Sequence, residues 1–324
     1  MLRYLLRRIA YALPILMGVN IITFVLFFAI NSPDDMARAQ LGAKRVTPEM
    51  IAAWKAQRGY DKPLFFNGKA KGTEALTQTL FWQESVKLFA FDFGKSESGR
   101  DIADDIRVRM WPSLAVALPT FVIALGVNIV TALLLVLFRH TRADRWAMFG
   151  AVVLMSVSGL FYIIVAQVLF SKVWHWVPVS GYASGVEGLK FVILPIVVGV
   201  ISGMGAGVRW YRSIFLEEIN KDYIRTARAK GLSELRTIFV HLLPNGMLPI
   251  LTGVVVVIPS LFMGSLVLES FFGIPGLGSY TIDAIHAQDF AVVKAMVFLG
   301  SVMYIVGLIL TDLSYVVFDP RVRL

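Results

Sequence analysis

Six long apolar stretches, separated by polar segments, dominate the chain. Each approaches the roughly 20 residues that a helix needs to cross the hydrocarbon core of a bilayer. They cover residues 9–30, 114–138, 147–170, 191–208, 248–268 and 291–317. The pattern predicts an all-α polytopic membrane protein with six transmembrane helices.

The first apolar stretch follows a basic segment with Arg3, Arg7 and Arg8, as in a secretory signal peptide. Its apolar core is longer than the roughly 7–15 residues of a signal peptide. The nearest A-x-A triplet after that core, at 37–39, follows two aspartates and lies well beyond it. We therefore expect residues 1–30 to be a retained transmembrane helix.

The composition supports the membrane assignment and excludes functions that need cysteine. Hydrophobic residues make up 57% of the chain, charged residues only 16%, and the mean hydropathy is +0.70. A soluble domain averages about 45–50% apolar and about 25% charged residues. The absence of cysteine excludes disulfides, thiol catalysis and cysteine-based metal sites.

The distribution of positive charge predicts the orientation in the membrane. Arginine and lysine concentrate in the N-terminal segment, in the loop after the second stretch, in residues 209–236 and in the C-terminal tail. The short loops on the opposite side contribute only Lys172 and Lys190. The positive-inside rule places both termini in the cytoplasm, so the net charge of +9 reflects topology rather than nucleic-acid binding.

The segment between the first two stretches, residues 31–112, is too long for a plain connector and should hold structure of its own. The run TPE at 47–49 predicts a helix start, and Gly59 predicts its end. A second helix is expected over 100–110, before the WP pair at 111–112 leads into the next span. The segment is interpreted either as a lid over the outer mouth or as a docking surface for a soluble partner.

Motifs for catalysis or cofactor binding are weak. The run GKS at 94–96 resembles the end of a phosphate-binding loop, but Phe89 stands where that loop needs its first glycine. The four histidines are scattered and show no zinc spacing. We expect a non-catalytic chain that binds no cofactor itself.

Polar residues within the apolar stretches are few and mostly uncharged. Asn128, Gln167 and Ser265 are the candidate lining residues of a transport pathway. Charged residues such as Glu269 lie toward the ends of the stretches, whereas ion-coupled carriers usually place charge near the membrane centre. Three glycines at four-residue spacing over 199–207 predict close packing between helices.

The cytoplasmic segment between the fourth and fifth stretches, residues 209–247, contains clear helix boundaries. Apolar and basic positions over 223–230 indicate a short amphipathic helix, and Gly231 ends it. Ser233 is expected to cap a second helix, which Pro244 would stop before the fifth span. Two short helices joined at a glycine would form an angled knob. A solvated basic loop that obeys the topology rule is the alternative interpretation.

This segment resembles the cytoplasmic coupling loop of ATP-binding-cassette (ABC) importer permeases, whose pattern is Glu-Ala-Ala, then Gly, then Leu-Pro. Here the triplet is Arg225-Thr226-Ala227, the glycine is Gly231 and the closing pair is Leu243-Pro244. Arg225 replaces the usual glutamate, and RTA followed by AKGLS is similar to the peptide branch. Further runs that resemble this branch are MLRYLLRR at 1–8, TPE at 47–49, GYDKPL at 59–64, DFGKS at 92–96, PVSGY at 178–182, LESFFGIPGLG at 268–278 and DPRVR at 319–323.

The resemblance implies a type I importer permease of the bacterial inner membrane, with six transmembrane helices, a coupling-helix loop and a large external loop. Such a subunit pairs with a second, similar permease subunit and with two ABC ATPases that use ATP and magnesium, while a periplasmic binding protein delivers peptide. On this resemblance the chain divides into an N-terminal helix (1–30), a periplasmic subdomain (31–112) and a five-helix core (113–324). The implied ATPase-coupling residues are Tyr223, Arg225, Thr226, Ala227, Arg228, Gly231, Leu243 and Pro244.

Several alternatives stay open at the level of sequence. The substrate could be a dipeptide, a longer or modified peptide, or a metal chelate or glutathione of the kind that close relatives handle. A secondary carrier or channel would work without ATP. An intramembrane enzyme would need paired polar residues deep in adjacent spans, and the sequence nominates no such pair.

Overall fold

A computed structural model of the chain describes residues 2–42, 46–68 and 70–318. Its regular structure is helical, and no β-strand forms among these residues, so the all-α prediction is confirmed. The chain divides into two compact units. One comprises the residues up to Val108 together with Tyr280–Ile305, and the other comprises Arg109–Ser279 with the residues from Val306 onward.

The described residues form fifteen α-helices. They are α1 (Leu2–Phe24), α2 (Pro33–Leu41), α3 (Pro48–Arg58), α4 (Glu74–Thr77), α5 (Leu80–Glu84), α6 (Ile102–Leu137), α7 (Arg142–Ser156), α8 (Gly159–Ala166), α9 (Leu189–Glu218), α10 (Asp222–Ala229), α11 (Glu234–Arg236), α12 (Leu243–Val257), α13 (Leu266–Phe272), α14 (Leu277–His286) and α15 (Phe290–Phe318). Wider π-helical turns occupy Val25–Ile30, Gln167–Val173 and Thr237–Leu242, and tighter 3₁₀ turns occupy Val86–Ala90, Val186–Gly188 and Ile258–Met263.

Five of the six predicted spans coincide with long apolar helices. These helices run Leu6–Ile30, Ile102–Leu137, Val186–Glu218, Glu234–Met263 and Phe290–Ser314. Each is long and apolar enough to cross a bilayer.

The third predicted span, 147–170, is not one straight helix. Two helices lie there, Arg142–Ser156 and Gly159–Val173, and they are bent by 90° at the break. Val157 between them is extended, and the Tyr162 hydroxyl donates to the Leu154 carbonyl at 2.7 Å. That bond satisfies a carbonyl that a continuous helix would pair with a backbone N–H. The predicted number of six spans is therefore reached only if this bent pair of helices forms one span.

The helix that leads into the second span is longer than predicted. The expected break at Trp111 and Pro112 is absent, because α6 continues from Ile102 through Leu137. The Asp101 side chain caps its start by accepting two backbone N–H groups of the first turn, at 2.9 and 3.3 Å. A proline inside a helix removes one backbone hydrogen bond and bends the axis without necessarily ending the helix.

The predicted boundaries of the first external helix are confirmed at α3. The Thr47 hydroxyl accepts the backbone N–H of Met50 at 3.4 Å, and Gly59 takes the left-handed conformation with φ 72°. Ile51 and Trp54 form the buried face of α3. They join the aromatic core of the first unit.

In the second unit, glycines bring α9 close to α6. A β-carbon at Gly199 would lie 2.6 Å from the Thr120 Cγ2, and one at Gly207 would lie 2.3 Å from the Asn128 Nδ2. At Gly203 a β-carbon would meet open space. The predicted close helix approach is therefore found at the first and last of the three glycines.

Candidate functional site

The segment expected to contact an ATPase begins where α9 ends. α9 continues to Glu218, well past the predicted end of the fourth span at residue 208. In α10, Ile224 and Ala227 are buried, whereas 73% of the Arg225 side chain is exposed. The helix therefore presents an apolar face to the second unit and a basic face to the outside.

The apolar face of α10 packs into a helix junction of the second unit. Ile224 is fully buried in one cluster with Val136 of α6, Phe215 of α9 and Leu242 of the π-helical turn before α12. Protein interiors are close-packed and transmit strain. The packing of Ile224 therefore joins α10 directly to α6, α9 and the turn before α12.

Polar contacts attach the start of α10 to the end of α9. The Tyr223 hydroxyl donates to Glu218 Oε1 at 2.6 Å, and the Lys221 ammonium lies 2.7 Å from Glu218 Oε2. Burial and the hydrogen bond to Glu218 raise the pKa of Tyr223. Its phenol therefore keeps the proton that it donates across the physiological pH range.

The turn after α10 depends on Gly231, which has φ 77°. Glycine adopts this left-handed conformation without a β-carbon clash. The Ser233 hydroxyl accepts the N–H of Arg236 at 3.4 Å, which confirms the predicted cap of the second helix. Across the turn, Arg228 Nε lies 2.8 Å from Glu234 Oε1. This ion pair braces α10 against α11.

The second helix of the segment does not stop at Pro244, contrary to the prediction. α11 passes through the π-helical turn Thr237–Leu242 into α12, and the whole forms the span Glu234–Met263. A proline ring clashes with the preceding helical turn, and the wider π turn directly before it relieves that clash. The Asn245 side chain also donates to the His241 carbonyl at 2.7 Å. The second helix of the 209–247 segment and the fifth span are thus one helix.

The remaining predicted coupling residues lie at the edge of this junction. Thr226 is exposed on α10 and donates to the Asp222 carbonyl at 3.0 Å. Leu243 packs against the same apolar cluster as Ile224, and Pro244 is exposed. The structure therefore gathers the predicted coupling residues around one helix junction.

A separate cavity of about 410 Å³ lies within the second unit. α6, α9 and the residues between α12 and α14 form its walls, which are mostly apolar. Its polar residues are Thr120, Ser202, Ser260, Ser265 and Glu269. Ser265 is thus a predicted pathway residue that lies on a cavity wall.

The other two predicted pathway residues lie elsewhere. Asn128 is buried against Gly207, where α6 meets α9. The Gln167 side chain donates to the carbonyls of Val179 and Phe271 at 3.0 and 2.9 Å. Neither residue lines the cavity that Ser265 lines. The structure therefore does not bring these three residues together.

Comparison with known proteins identifies the family. A family model described as "binding-protein-dependent transport system inner membrane component" matches residues 128–324, which is more than half of the chain. The chain belongs to this family. A second model, for the N-terminal part of such membrane components, matches residues 1–69.

Relatives of this inner membrane component carry transport permease names. The dipeptide transport system permease protein DppB of Escherichia coli (strain K12) is 30% identical over 100% of this chain and 99% of its own length. The oligopeptide transport system permease protein AppB of Bacillus subtilis (strain 168) is 28% identical over 100% of both chains. A Brucella abortus (strain 2308) protein with a provisional peptide transport permease name is 32% identical over 98% of both chains.

Family membership fixes the general role of this inner membrane component. It is a multi-pass membrane protein and a permease subunit of an ABC importer. A secondary carrier or channel that works without ATP is not favoured by this membership.

The sequence prediction missed an ion pair at the start of the 209–247 segment of this inner membrane component. Asp144, near the start of α7, accepts hydrogen bonds from Arg212 Nε at 3.0 Å and Arg212 Nη2 at 2.8 Å. Bidentate pairs of this kind fix the orientation of both groups. The sequence does contain a signal for it. Asp144 is the single acid in the basic loop 139–146 and stands three residues after Thr141, in the spacing of a helix cap.

Proposed function

We propose that this chain forms, together with a second, similar permease subunit, the translocation pathway of an ATP-driven importer of di- or oligopeptides. The names of its relatives DppB and AppB support peptide as the substrate class. The RTA triplet at 225–227, followed by Gly231, supports the same branch. A periplasmic binding protein delivers the peptide to the outer mouth, and lipid surrounds the spans.

Two cytoplasmic ABC ATPases power the cycle with ATP and magnesium, while this chain binds no cofactor and carries out no catalysis. The observation that carries this proposal is the two-faced geometry of α10. Its exposed Arg225 is free of the core and pairs with an acidic group in an ATPase cleft, whereas its buried Ile224 is packed among α6, α9 and α12. Closure of the ATPase pair then moves α10 as a lever and rocks these helices.

The proposed coupling residues divide into an exposed group and a group that acts within the chain. Arg225 and Thr226 form the exposed surface that meets the ATPase. Within the chain, the motion is transmitted by Tyr223, Ala227, Arg228, Gly231, Leu243 and Pro244.

The proposed topology places both termini in the cytoplasm and residues 31–112 in the periplasm, where the binding protein docks. The basic character of residues 209–236 supports this orientation. The proposed pathway residues are Asn128, Gln167 and Ser265. Ser265 has the strongest support, because it lines the cavity of the second unit.

Reconstitution tests the proposed function directly. Vesicles that contain both permeases and the ATPases should take up labelled peptide only when ATP reaches the ATPases and loaded binding protein is outside. A variant ATPase that binds but does not hydrolyse ATP is the control and should abolish uptake. Equal uptake with and without ATP would overturn the proposal in favour of a carrier or channel.

A further inference from the structure

The run LESFFGIPGLG at 268–278 is folded around one buried carboxylate. α13 ends at Gly273, which is left-handed with φ 64°, and α14 begins at Leu277. Between these helices the chain turns back toward Glu269. This residue is buried, with only 1% of its surface exposed. A buried charge is costly unless it is paired or hydrogen-bonded.

The Glu269 carboxylate is satisfied by backbone donors from both sides of this turn. Oε1 accepts the N–H of Ser265 at 3.2 Å, at the start of α13. Oε2 accepts the N–H of Gly278 at 2.8 Å and that of Ser279 at 3.2 Å, in the first turn of α14. One side chain therefore holds the beginnings of two helices together.

Ser113 extends this arrangement to α6. Its Oγ accepts the backbone N–H of Leu277 at 2.8 Å. Its hydroxyl also hydrogen-bonds Glu269, and this bond opposes the rise in the pKa of Glu269 that burial causes. Ser113 thus connects α6 to both the carboxylate and the start of α14.

Three glycines leave the space that the carboxylate occupies. A β-carbon at Gly264 would lie 1.8 Å from Glu269 Oε1, and one at Gly276 would lie 2.2 Å from Oε2. At Gly278 a β-carbon would lie 2.6 Å from the Ser265 carbonyl. Real β-carbons do not approach other atoms so closely. Gly264, Gly276 and Gly278 are therefore explained by close approach to Glu269 and Ser265.

The same residues form part of the cavity wall. Gly264, Ser265 and Glu269 line the cavity of about 410 Å³, together with Thr120 and Ser202. The Glu269 oxygens are already filled by N–H and O–H donors, which disfavours a role as a cation or substrate ligand. What the carboxylate does instead is hold this wall in one conformation.

We propose that Glu269 is the positioning residue of the translocation cavity, which it shapes by fixing the 264–279 segment against Ser113 of α6. The inference rests on the proposed transport function. It predicts that loss of the carboxylate changes the passage of substrate while the ATPase response to loaded binding protein is kept, because α10 and its core lie elsewhere in the second unit.

The test uses Glu269→Gln, which removes the charge and turns an amide N–H₂ toward backbone N–H groups. Glu187→Gln is the matched control, since Glu187 is exposed and makes the same charge change. The chain has no cysteine, so Ser202→Cys places one reporter thiol in the cavity. Three quantities are measured in vesicles: peptide uptake per complex, binding-protein-stimulated ATPase activity, and the rate of maleimide labelling of this chain at residue 202.

Glu269→Gln should lower the maximal uptake rate about tenfold and raise the labelling rate at residue 202 by a similar factor, in line with loss of hydrogen bonds to a buried charge. The concentration of loaded binding protein for half-maximal uptake and the stimulated ATPase activity should stay within about twofold of the parent. Unchanged uptake and labelling in Glu269→Gln would overturn the proposal. A merely structural role would instead lower the amount of assembled complex and leave uptake per complex unchanged.

If Glu269→Gln does not assemble, Ser113→Ala decides the matter. That variant removes one donor to the carboxylate and one acceptor for Leu277, and it should shift uptake and labelling in the same directions by a smaller factor. If Ser113→Ala shows the same uptake rate and the same labelling rate at residue 202 as the parent, the proposal is overturned. Failure of the proposed function is distinguished by the parent complex, which would then show no ATP-driven uptake at all.

Discussion

Arg228 and Glu234 form an ion pair across the Gly231 turn, with 2.8 Å between Arg228 Nε and Glu234 Oε1. Arg228 belongs to α10 and Glu234 opens α11, so the pair spans the angle between the two short helices. The family resemblance implies that Arg228 is an ATPase-coupling residue. Its place in an intrachain brace gives it a second task, which is to keep α10 at a fixed angle to the fifth span.

Arg228→Gln should weaken coupling more than it weakens the fold. Side-chain exposures of 30% and 51% identify a partly exposed pair, which contributes at most about 1 kcal/mol to stability. We expect the ATPase stimulation by loaded binding protein to fall by up to about fivefold, the factor that corresponds to this energy. The swapped variant Arg228→Glu with Glu234→Arg should recover part of the loss. No recovery would contradict the brace.

Tyr223→Phe should loosen the junction between α9 and α10. It deletes the 2.6 Å hydrogen bond to Glu218, a charged acceptor. We expect a loss of about 1 kcal/mol, seen as a lower midpoint of thermal unfolding in detergent. Tyr211→Phe is the matched control, because Tyr211 packs against the same apolar cluster. An equal shift in both variants would show that the Tyr223 bond contributes nothing specific.

Ile224→Ala should uncouple transport by loosening α10 from its core. Ile224 is fully buried, and truncation of such a side chain costs about 2–5 kcal/mol. Leu235→Ala is the control, since Leu235 is 58% exposed and its loss should stay within about 0.5 kcal/mol. Unfolding midpoints and ATP-driven uptake are measured for both. Similar values for the two variants would argue against the lever arrangement.

Gly207→Ala and Gly203→Ala should differ, although both lie on α9. A β-carbon at Gly207 would approach Asn128 Nδ2 to 2.3 Å, so overpacking should cost about 1–3 kcal/mol. At Gly203 a β-carbon meets open space, and alanine should stabilise the helix by up to about 1 kcal/mol. Thermal unfolding of the two variants checks this difference, and a loss of stability at Gly203 would contradict it.

Local signals in the sequence predicted those parts of the fold that local chemistry decides. Thr47 and Gly59 bound α3, and Ser233 caps α11, because side-chain caps and left-handed glycines act within a few residues. Long apolar runs likewise predicted five spans that are continuous helices, since an apolar stretch of about 20 residues is long enough to cross a bilayer.

Tertiary contacts decide the parts that the sequence prediction missed. The break at Val157 depends on a hydrogen bond from Tyr162 to Leu154, and the helix through Pro244 depends on a π-helical turn before it. Asn128 was proposed for the pathway from its polarity, and its packing against a glycine of another helix has no local signal in the sequence. Hydropathy and propensity carry no information on these pairings.

The central claim is that α10 transmits ATPase closure through the Gly231 turn. Gly231 has φ 77°, and proline fixes φ near −65°, so Gly231→Pro must change the angle of the turn. Gly185→Pro is the control, because Gly185 has φ 75° in an exposed turn elsewhere in the second unit. Arg225→Glu reverses the exposed charge that we propose to face the ATPase.

The most direct measurement is ATPase activity of the assembled complex in vesicles, with and without loaded binding protein. Gly231→Pro and Arg225→Glu should each lose the stimulation by about tenfold or more while the complex still assembles, and Gly185→Pro should keep it. Parent levels of stimulated ATPase activity and peptide uptake in both Gly231→Pro and Arg225→Glu would contradict the account.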